Sequence, residues 1–186
     1  MAQGKEEIPV IETKDVFVGD KKAPVTLVEF GDYESEDCFK ANDVVKKILE
    51  EFKGIVRFNF RHFPLTKIHQ RSQKAAEAAI SAAQDGKFWE MHNALFANRR
   101  NLGTTTLKLH AKDAGINRKE MLEELMNGTY GQNVHEDIAY GKKIGVTEIP
   151  TFFINGTKYT GKPTFDALSK EIIAASKKAK PSKKAK

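Results

Sequence analysis

The stretch Val25-Thr-Leu-Val-Glu-Phe-Gly-Asp-Tyr-Glu-Ser-Glu-Asp-Cys38 changes its hydrophobic pattern part-way along. Residues 25–30 are almost continuously apolar and rich in β-branched side chains, which predicts a buried strand. From Ser35 the apolar residues recur every three or four positions, which predicts a helix that ends near Gly54. The apolar face of that helix consists of Cys38, Ala41, Val45, Ile48 and Phe52. Residues 55–61 then alternate as a second strand. The order strand, helix, strand predicts an α/β fold with a parallel pair and a right-handed crossover.

The rest of the chain predicts a helical region followed by a hairpin and a closing helix. An alanine-rich helical region follows Phe63-Pro-Leu65 and reaches Phe96. Asn117-Arg-Lys-Glu120 resembles a capping box that would begin another helix, and 133–144 reads as a further helix. An Asn155-Gly156 turn then joins two short strands, and Pro163 is predicted as the first residue of the last helix. With 186 residues the chain is expected to form one domain.

The distribution of charge and the first residues of the chain give expectations about binding partners and cellular location. Of the 31 basic residues, six are lysines in residues 177–186, which leaves 25 basic against 25 acidic residues elsewhere. We therefore interpret the tail as a disordered, solvated Lys-rich segment and predict no specific nucleic-acid binding. Neither an apolar signal core at the start nor a membrane-length apolar stretch is visible. We expect a cytoplasmic protein without a membrane partner, or an extracytoplasmic one if a leader has been removed.

Ser35 and Cys38 are the candidate reactive residues. Two cysteines three apart at the start of a helix form a dithiol site, with the first sulfur exposed at the helix N-terminus. Cys38 is the only cysteine in the chain, and Ser35 occupies the first position. A serine hydroxyl cannot form a disulfide, so dithiol turnover within this chain is excluded unless another subunit or glutathione supplies sulfur. Ser35 is also a favoured N-cap residue, and Cys38 is expected to point into the core.

The segment from Pro24 to Ile173 resembles the DsbA-like branch of the thioredoxin superfamily, a thioredoxin fold interrupted by a helical subdomain. The resemblance is carried by four segments: 28–33 before the helix, 61–65 after the second strand, 86–92 in the helical region, and 145–156 around Pro150. It implies a thioredoxin-like domain formed by 25–64 and 130–176, with an inserted helical subdomain at 65–129. Residues 1–24 would form a lead-in with a short strand at 16–18, and 177–186 the disordered tail.

The same resemblance implies the roles of the site residues. Pro150 should be a cis-proline that faces Ser35 and Cys38, and Ile149 should offer backbone groups to an extended peptide. Tyr33, which we expect to pack around this end of the sheet, is the third candidate for contact with substrate. Members that exchange disulfides carry cysteine where this chain has Ser35. Expected partners are therefore protein thiols or extended peptide segments, and no cofactor is implied other than glutathione.

Three alternatives remain open from the sequence. The first is a DsbA-like thiol-disulfide oxidoreductase relative that acts as a peptide-binding variant, or as a monothiol variant if the sulfur of Cys38 is accessible. The second is a glutathione-dependent transferase or isomerase that uses Ser35. It would resemble the kappa class, whose motif usually has proline where Glu36 stands here. The third is an ordinary disulfide oxidoreductase in which the first cysteine was changed to Ser35.

Other titratable residues give no competing site. Glu36 and Asp37 complement the helix dipole, and as sequence neighbours they point in different directions, which argues against an acid/base pair. The histidines lie on separate elements without metal-ligand spacing, so no metal is predicted. His69 follows the Phe63-Pro-Leu65 turn and could approach the Ser35 end, although a surface or capping role is the plainer interpretation.

Overall fold

The computed structural model describes residues 9–179, and the sheet at its centre has five strands. The strands are β1 (Val18–Gly19), β2 (Val25–Gly31), β3 (Val56–His62), β4 (Thr151–Ile154) and β5 (Thr157–Tyr159). The helices are α1 (Glu36–Glu51), α2 (Ser72–Ala83), α3 (Phe88–Ala97), α4 (Thr104–Asp113), α5 (Met121–Asn127), α6 (Gly131–Lys143) and α7 (Phe165–Ala179). A 3-10 turn at Thr13–Asp15 precedes β1. The predicted α/β class is confirmed.

The strand order is β1-β3-β2-β4-β5. β2 and β3 are parallel and joined by α1, as the strand, helix, strand pattern predicts, and their register runs from Val25 opposite Val56 to Gly31 opposite His62. β4 is antiparallel to β2 and pairs Thr151 with Phe30. The carboxyl ends of β2 and β3 and the first residue of β4 therefore lie at the same edge of the sheet.

The two faces of the sheet pack against different elements. One face of β2, with Val25 and Leu27, belongs to the main core together with Val45 and Ile48 of α1 and Leu168 of α7. The opposite face carries Phe30, which clusters with Phe63, Val146 and Phe153. Alternate side chains of a strand point to opposite faces, so this division follows from the strand period.

Helices α2 to α5 lie between β3 and α6 in the chain and form the inserted helical region. The alanines of α2 are almost completely buried, because small side chains allow neighbouring helices to approach closely. The predicted single helical region is interrupted, however. Residues 84–87 form a turn with Gly86 at φ 71°, a conformation that favours glycine and ends α2 before α3 begins.

Three local predictions are wrong. α5 begins at Met121 and has no side-chain cap, so Asn117 caps nothing, and Arg118 instead donates to Glu124 in a polar network. Pro163 precedes α7, whose first turn is capped by the Thr164 hydroxyl accepting from the Ala167 N–H. Residues 177–179 belong to α7 rather than to a disordered tail. The remainder of the predicted tail, and residues 1–8 of the lead-in, lie outside the described residues.

Candidate functional site

Ser35 is the N-cap of α1. Its backbone is extended (φ −71°, ψ 128°), and its Oγ accepts a hydrogen bond from the Cys38 N–H at 3.2 Å. The Ser35 N–H donates to the Asp32 carbonyl at 3.1 Å, which closes the turn after β2. A hydroxyl carries one proton as well as acceptor lone pairs. Because capping uses only a lone pair, the Ser35 O–H is free to donate to another group.

Cys38 is a buried thiol beneath Ser35. Its side chain has no solvent exposure. Burial, with the nearby Glu29 carboxyl as the second cause, raises the pKa of Cys38 well above its ordinary value. A thiol in this state is neither a nucleophile nor a metal ligand. The accessible sulfur that a monothiol mechanism requires is therefore not present in this structure.

Glu29 is a buried acid on the same side of β2 as the main core. It is 1% exposed, and within residues 9–179 its Oε1 has no hydrogen-bond partner. Burial raises the pKa of Glu29 well above its ordinary value, which favours a neutral carboxyl. Sequence reasoning assigned Glu29 no role, although a single acid inside the apolar run 25–30 is an available signal.

Pro150 and Ile149 lie beside this turn. The Ile149–Pro150 peptide bond is cis, and Thr151, the next residue, pairs with Phe30 near the end of β2. The Thr151 hydroxyl donates to the Glu148 carbonyl at 2.7 Å, which holds the approach to β4. Ile149 is half-buried and packs against both hydrophobic clusters. The sheet register thus brings Pro150 to the edge at which Ser35 lies.

Asp32 fixes a second loop against the same turn. Its buried carboxylate accepts hydrogen bonds from the backbone of Glu34 and Leu65 and from His69 Nδ1, each at 2.8 Å. Glu34 in turn accepts from the Arg71 N–H at 2.8 Å. Residues 65–71 are therefore held against the turn that leads to Ser35. His69 lies at this end of the molecule, in hydrogen-bond contact with Asp32.

Tyr33 supports the site from inside the core. It is 1% exposed and packs on Phe60 and Phe96, so it does not contact solvent where a ligand would bind. Its hydroxyl lies 3.0 Å from His92 Nδ1, and His92 Nε2 lies 3.2 Å from Asn42 Oδ1. An amide oxygen only accepts, so Nε2 carries the proton and the Tyr33 hydroxyl donates to Nδ1. The expected contact of Tyr33 with substrate is replaced by this internal role.

Sequence reasoning placed Ser35, Cys38, Ile149 and Pro150 in one region, and the structure brings them to one edge of the sheet. It did not find the clamp formed by Asp32, because the two partners of that carboxylate in the clamped loop, Leu65 and His69, are more than 30 positions away in the chain. Among residues 9–179 no group of three or more His, Cys, Asp or Glu side chains is arranged to hold a metal ion. In the same part of the chain, no helix has the length and apolar character needed to span a membrane.

Strand β2 leads into helix α1 at the Ser35 cap, and the loop with Pro150 lies at the same edge of the sheet. Helices α2 to α5 are inserted between β3 and α6. Together these features define a thioredoxin-type scaffold with a helical insertion. A family model described as Thioredoxin matches residues 12–174, and the chain belongs to this family. Its structural neighbours are DsbA-like thiol-disulfide oxidoreductases. BdbD from Bacillus subtilis, in its oxidised form, is 27% identical with a TM-score of 0.79, covering 87% of this chain and 92% of its own. A thioredoxin-like oxidoreductase from Silicibacter pomeroyi is 25% identical with a TM-score of 0.76, covering 89% and 95%.

The chain is also similar in sequence to part of several much longer proteins, which are named as antiporters. The Na(+)/H(+) antiporter NhaA 1 of Salinispora arenicola is 36% identical over 168 residues, which are 90% of this chain and 26% of that protein. The antiporter NhaA of Nitrosospira multiformis is 33% identical over 170 residues, or 90% and 27%. The chain spans about a quarter of the length of these relatives.

Proposed function

We propose that the protein is a peptide-binding member of the DsbA-like group that does not run a dithiol cycle by itself. It binds an extended segment of a partner protein at the edge formed by Ser35 and Pro150. A thiol or thiolate of that segment faces the Ser35 hydroxyl. The observation that carries the proposal is the combination of a Ser35 hydroxyl whose proton the cap does not use, on a residue that is 6% exposed, with a Cys38 that is fully buried.

The chemistry of the two residues supports binding over exchange. Disulfide exchange begins with attack by a thiolate, and Cys38 has neither the ionisation nor the access for it. Ser35 contributes a hydrogen-bond donor in place of a sulfur. A hydroxyl that donates to a thiolate stabilises its negative charge, and the N-terminus of α1 favours an anion at the same point.

The loop before β4 supports the mode of binding. An extended peptide adds to an exposed backbone edge through main-chain hydrogen bonds, and side-chain pockets supply specificity. Ile149 and Pro150 immediately precede β4 and are only half-buried. Ile68, which is 70% exposed on the loop clamped by Asp32, adds an apolar side chain on the other side of the Ser35 turn.

Peptide N-methylation tests strand pairing directly. Fluorescent ten-residue peptides with a central cysteine and apolar flanks are titrated against the native protein, and one backbone nitrogen at a time is methylated. Strand pairing uses the N–H groups of alternate residues, so affinity should fall about tenfold at every second position and stay unchanged between them. Equal effects at successive positions, or no saturable binding, would refute the proposal.

Cysteine trapping locates the bound peptide. In the double variant Ser35→Cys, Cys38→Ala, with glutathione disulfide added as the oxidant, the new thiol should form a mixed disulfide with the peptide cysteine while glutathione disulfide is reduced to two glutathione molecules. The same peptide with serine in place of cysteine is the control and should not be captured. Formation of an internal disulfide in the single variant Ser35→Cys under mild oxidation would support the alternative that the chain derives from an ordinary oxidoreductase. Its absence would count against the expected approach of positions 35 and 38.

Glutathione is the second candidate, favoured by the free proton of Ser35. Saturable glutathione binding that weakens in Ser35→Ala and is unchanged in Cys38→Ala would establish it. If the native protein binds peptide but not glutathione, the transferase alternative is removed.

The monothiol alternative requires that the Cys38 thiol reacts in the folded protein. Native protein is incubated with glutathione disulfide between pH 5 and 9 and followed by mass spectrometry. Because Cys38 is buried with a raised pKa, adduct formation should require unfolding and appear rapidly only in denaturant. Fast reaction of the native protein would restore the monothiol mechanism.

A further inference from the structure

The face of the sheet opposite Cys38 is incompletely covered and leaves a cavity of about 330 Å³. Its apolar wall is formed by Val28, Phe30, Ile144 and Phe153. It is bounded by the segment before β1, by the end of α6 and by β5. The volume lies within the range of small-molecule sites, about 300–1,000 Å³. None of its lining residues belongs to the turn at Ser35 or to the loop at Pro150.

The charged residues of this cavity are all basic. They are Lys14, Arg61 and Lys158, and no acidic side chain lines it among the described residues. Lys158 Nζ donates to the Gly145 carbonyl at 2.7 Å, a neutral partner that leaves its charge uncompensated. Lys14 is paired with Glu12. Arg61 is paired with Asp137 through Nε, at 2.6 Å, so it is held in place while its terminal nitrogens stay outside that bond.

Aromatic rings fix the position of the arginine. The Arg61 guanidinium lies 5.0 Å from the Tyr140 ring centroid and 5.8 Å from that of Phe30. Both rings line the cavity. A cation that lies against two neighbouring rings and is bonded to one buried carboxylate keeps little rotamer freedom, so little conformational entropy is lost when a ligand binds it.

The other cavities of similar or larger volume have different linings. The cavity between β5 and α7 includes Glu171, and the one between β1 and α1 includes Asp20 and Glu50. The charged residues of the cavity near Phe39 are Arg99 and Arg100, and Arg99 is paired with Glu36. Lys158 also lines the cavity between β5 and α7, so the feature that distinguishes the cavity on the second face of the sheet is Arg61 held against the rings of Tyr140 and Phe30.

We propose that this cavity, bounded by Val28, Phe30, Tyr140, Ile144, Phe153 and Lys158, is a binding site for a small organic anion with a flat apolar body, such as an aromatic carboxylate or sulfonate. The rings and aliphatic side chains cover the body, and Lys158 with Arg61 receives the anionic group. The site is separate from the peptide-binding edge and does not depend on the proposed function.

The test uses two fluorescent probes of matched shape. 1-Anilinonaphthalene-8-sulfonate carries the anionic group, and N-phenyl-1-naphthylamine has the same rings without it. Both are titrated into the native full-length protein, with circular dichroism and urea unfolding to show that each variant is folded. We expect a single saturable site that prefers the sulfonate. Lys158→Gln should weaken sulfonate binding about two- to fivefold, as for loss of one exposed ion pair, and leave the neutral probe unchanged.

Two further variants make the result decisive. Ile144→Trp fills the cavity and should remove saturable binding of both probes, whereas Lys53→Gln in the cavity between β1 and α1 is the matched control and should have no effect. Equal affinity for the two probes would overturn the charge assignment. Binding that survives both Lys158→Gln and Ile144→Trp, or that falls equally in Lys53→Gln, would place the ligand elsewhere and overturn the site.

Discussion

Ser35 shows how one oxygen can serve the fold and the site together. Its Oγ accepts from the Cys38 N–H and thereby satisfies one of the unpaired donors of the first turn of α1. We predict that Ser35→Ala lowers the free energy of unfolding by about 1 kcal/mol through loss of this cap. Urea denaturation measures it. Ser35→Asp, which restores a capping oxygen, should recover most of the loss, and an aspartate variant less stable than the alanine variant would contradict the capping role.

Glu29 gives a residue-level prediction about pH. Its pKa is raised by burial, so the folded state holds this proton more tightly than the unfolded state does. The stabilisation that this proton gives to the folded state is therefore fully present below the ordinary pKa of glutamate. It is lost as pH rises toward the pKa of Glu29 in the folded state. Glu29→Gln should flatten the fall of the urea midpoint between pH 5 and 8. The exposed Glu148→Gln should leave that slope as in the wild type, and an unchanged slope in Glu29→Gln would mean that the buried acid ionises without cost.

The residue scale also shows what one sequence could predict of the site. Ser35, Cys38 and Pro150 lie in patterns that a single sequence displays, namely the strand-to-helix change and the proline before an apolar strand. The structure reassigns Tyr33 from ligand contact to the core, because its hydroxyl finds His92, 59 positions away. The Asp32 clamp was invisible for the same reason. Partners of a buried polar atom are chosen by tertiary packing, which no local pattern encodes.

At the scale of elements, one carboxylate docks α6 on the sheet. Asp137 accepts from Arg61 Nε at 2.6 Å and from the His62 N–H at 2.9 Å, and it is 2% exposed. Removing one partner of a buried pair leaves the other charge uncompensated. We predict that Asp137→Ala lowers the free energy of unfolding by about 3–5 kcal/mol and increases amide exchange in α6 before it does so in β2.

The control for this prediction is an acid of α7. Asp166 is exposed in the first turn of that helix, and Asp166→Ala should change stability by no more than about 0.5 kcal/mol. If Asp137→Ala costs no more than Asp166→Ala, the contact between α6 and β3 does not depend on this ion pair, and the exchange pattern should then be uniform.

Errors in element boundaries have the same physical origin as errors in the site. The apolar periods of β2, α1 and β3 predicted these elements well, because burial on one face dominates their sequences. Asn117 and Glu120 match a capping box, yet Arg118 between them is drawn into hydrogen bonds with Glu124 and Asp85. That network fixes the segment before α5 in a turn, so tertiary contacts override the local capping signal.

Over the whole molecule, buried histidines are expected to set the acid limit of stability. His62 is 1% exposed among aromatic rings, and neither ring nitrogen has a hydrogen-bond partner within residues 9–179. Burial, as the largest cause, lowers the pKa of His62 to about 4 and that of His92 to about 3. A histidine whose pKa is lowered in the folded state does not reduce the free energy of unfolding at pH values above its pKa in the unfolded state, about 6.5. The free energy of unfolding then decreases as pH falls from about 6.5 toward about 4 and below.

The shift at His62 corresponds to about 3 kcal/mol of stability lost across this window. Since the imidazole nitrogens of His62 make no hydrogen bonds in the described residues, His62→Phe should keep the packing and remove the proton uptake, so the urea midpoint should fall less steeply between pH 6.5 and 4 than in the wild type. The exposed His135→Gln is the matched control and should follow the wild-type curve.

His92 accepts from Tyr33 and donates to Asn42, so His92→Phe should lose stability at every pH even as it flattens the slope. A wild-type slope retained in His62→Phe would mean that protonation of His62 does not set the acid limit of stability.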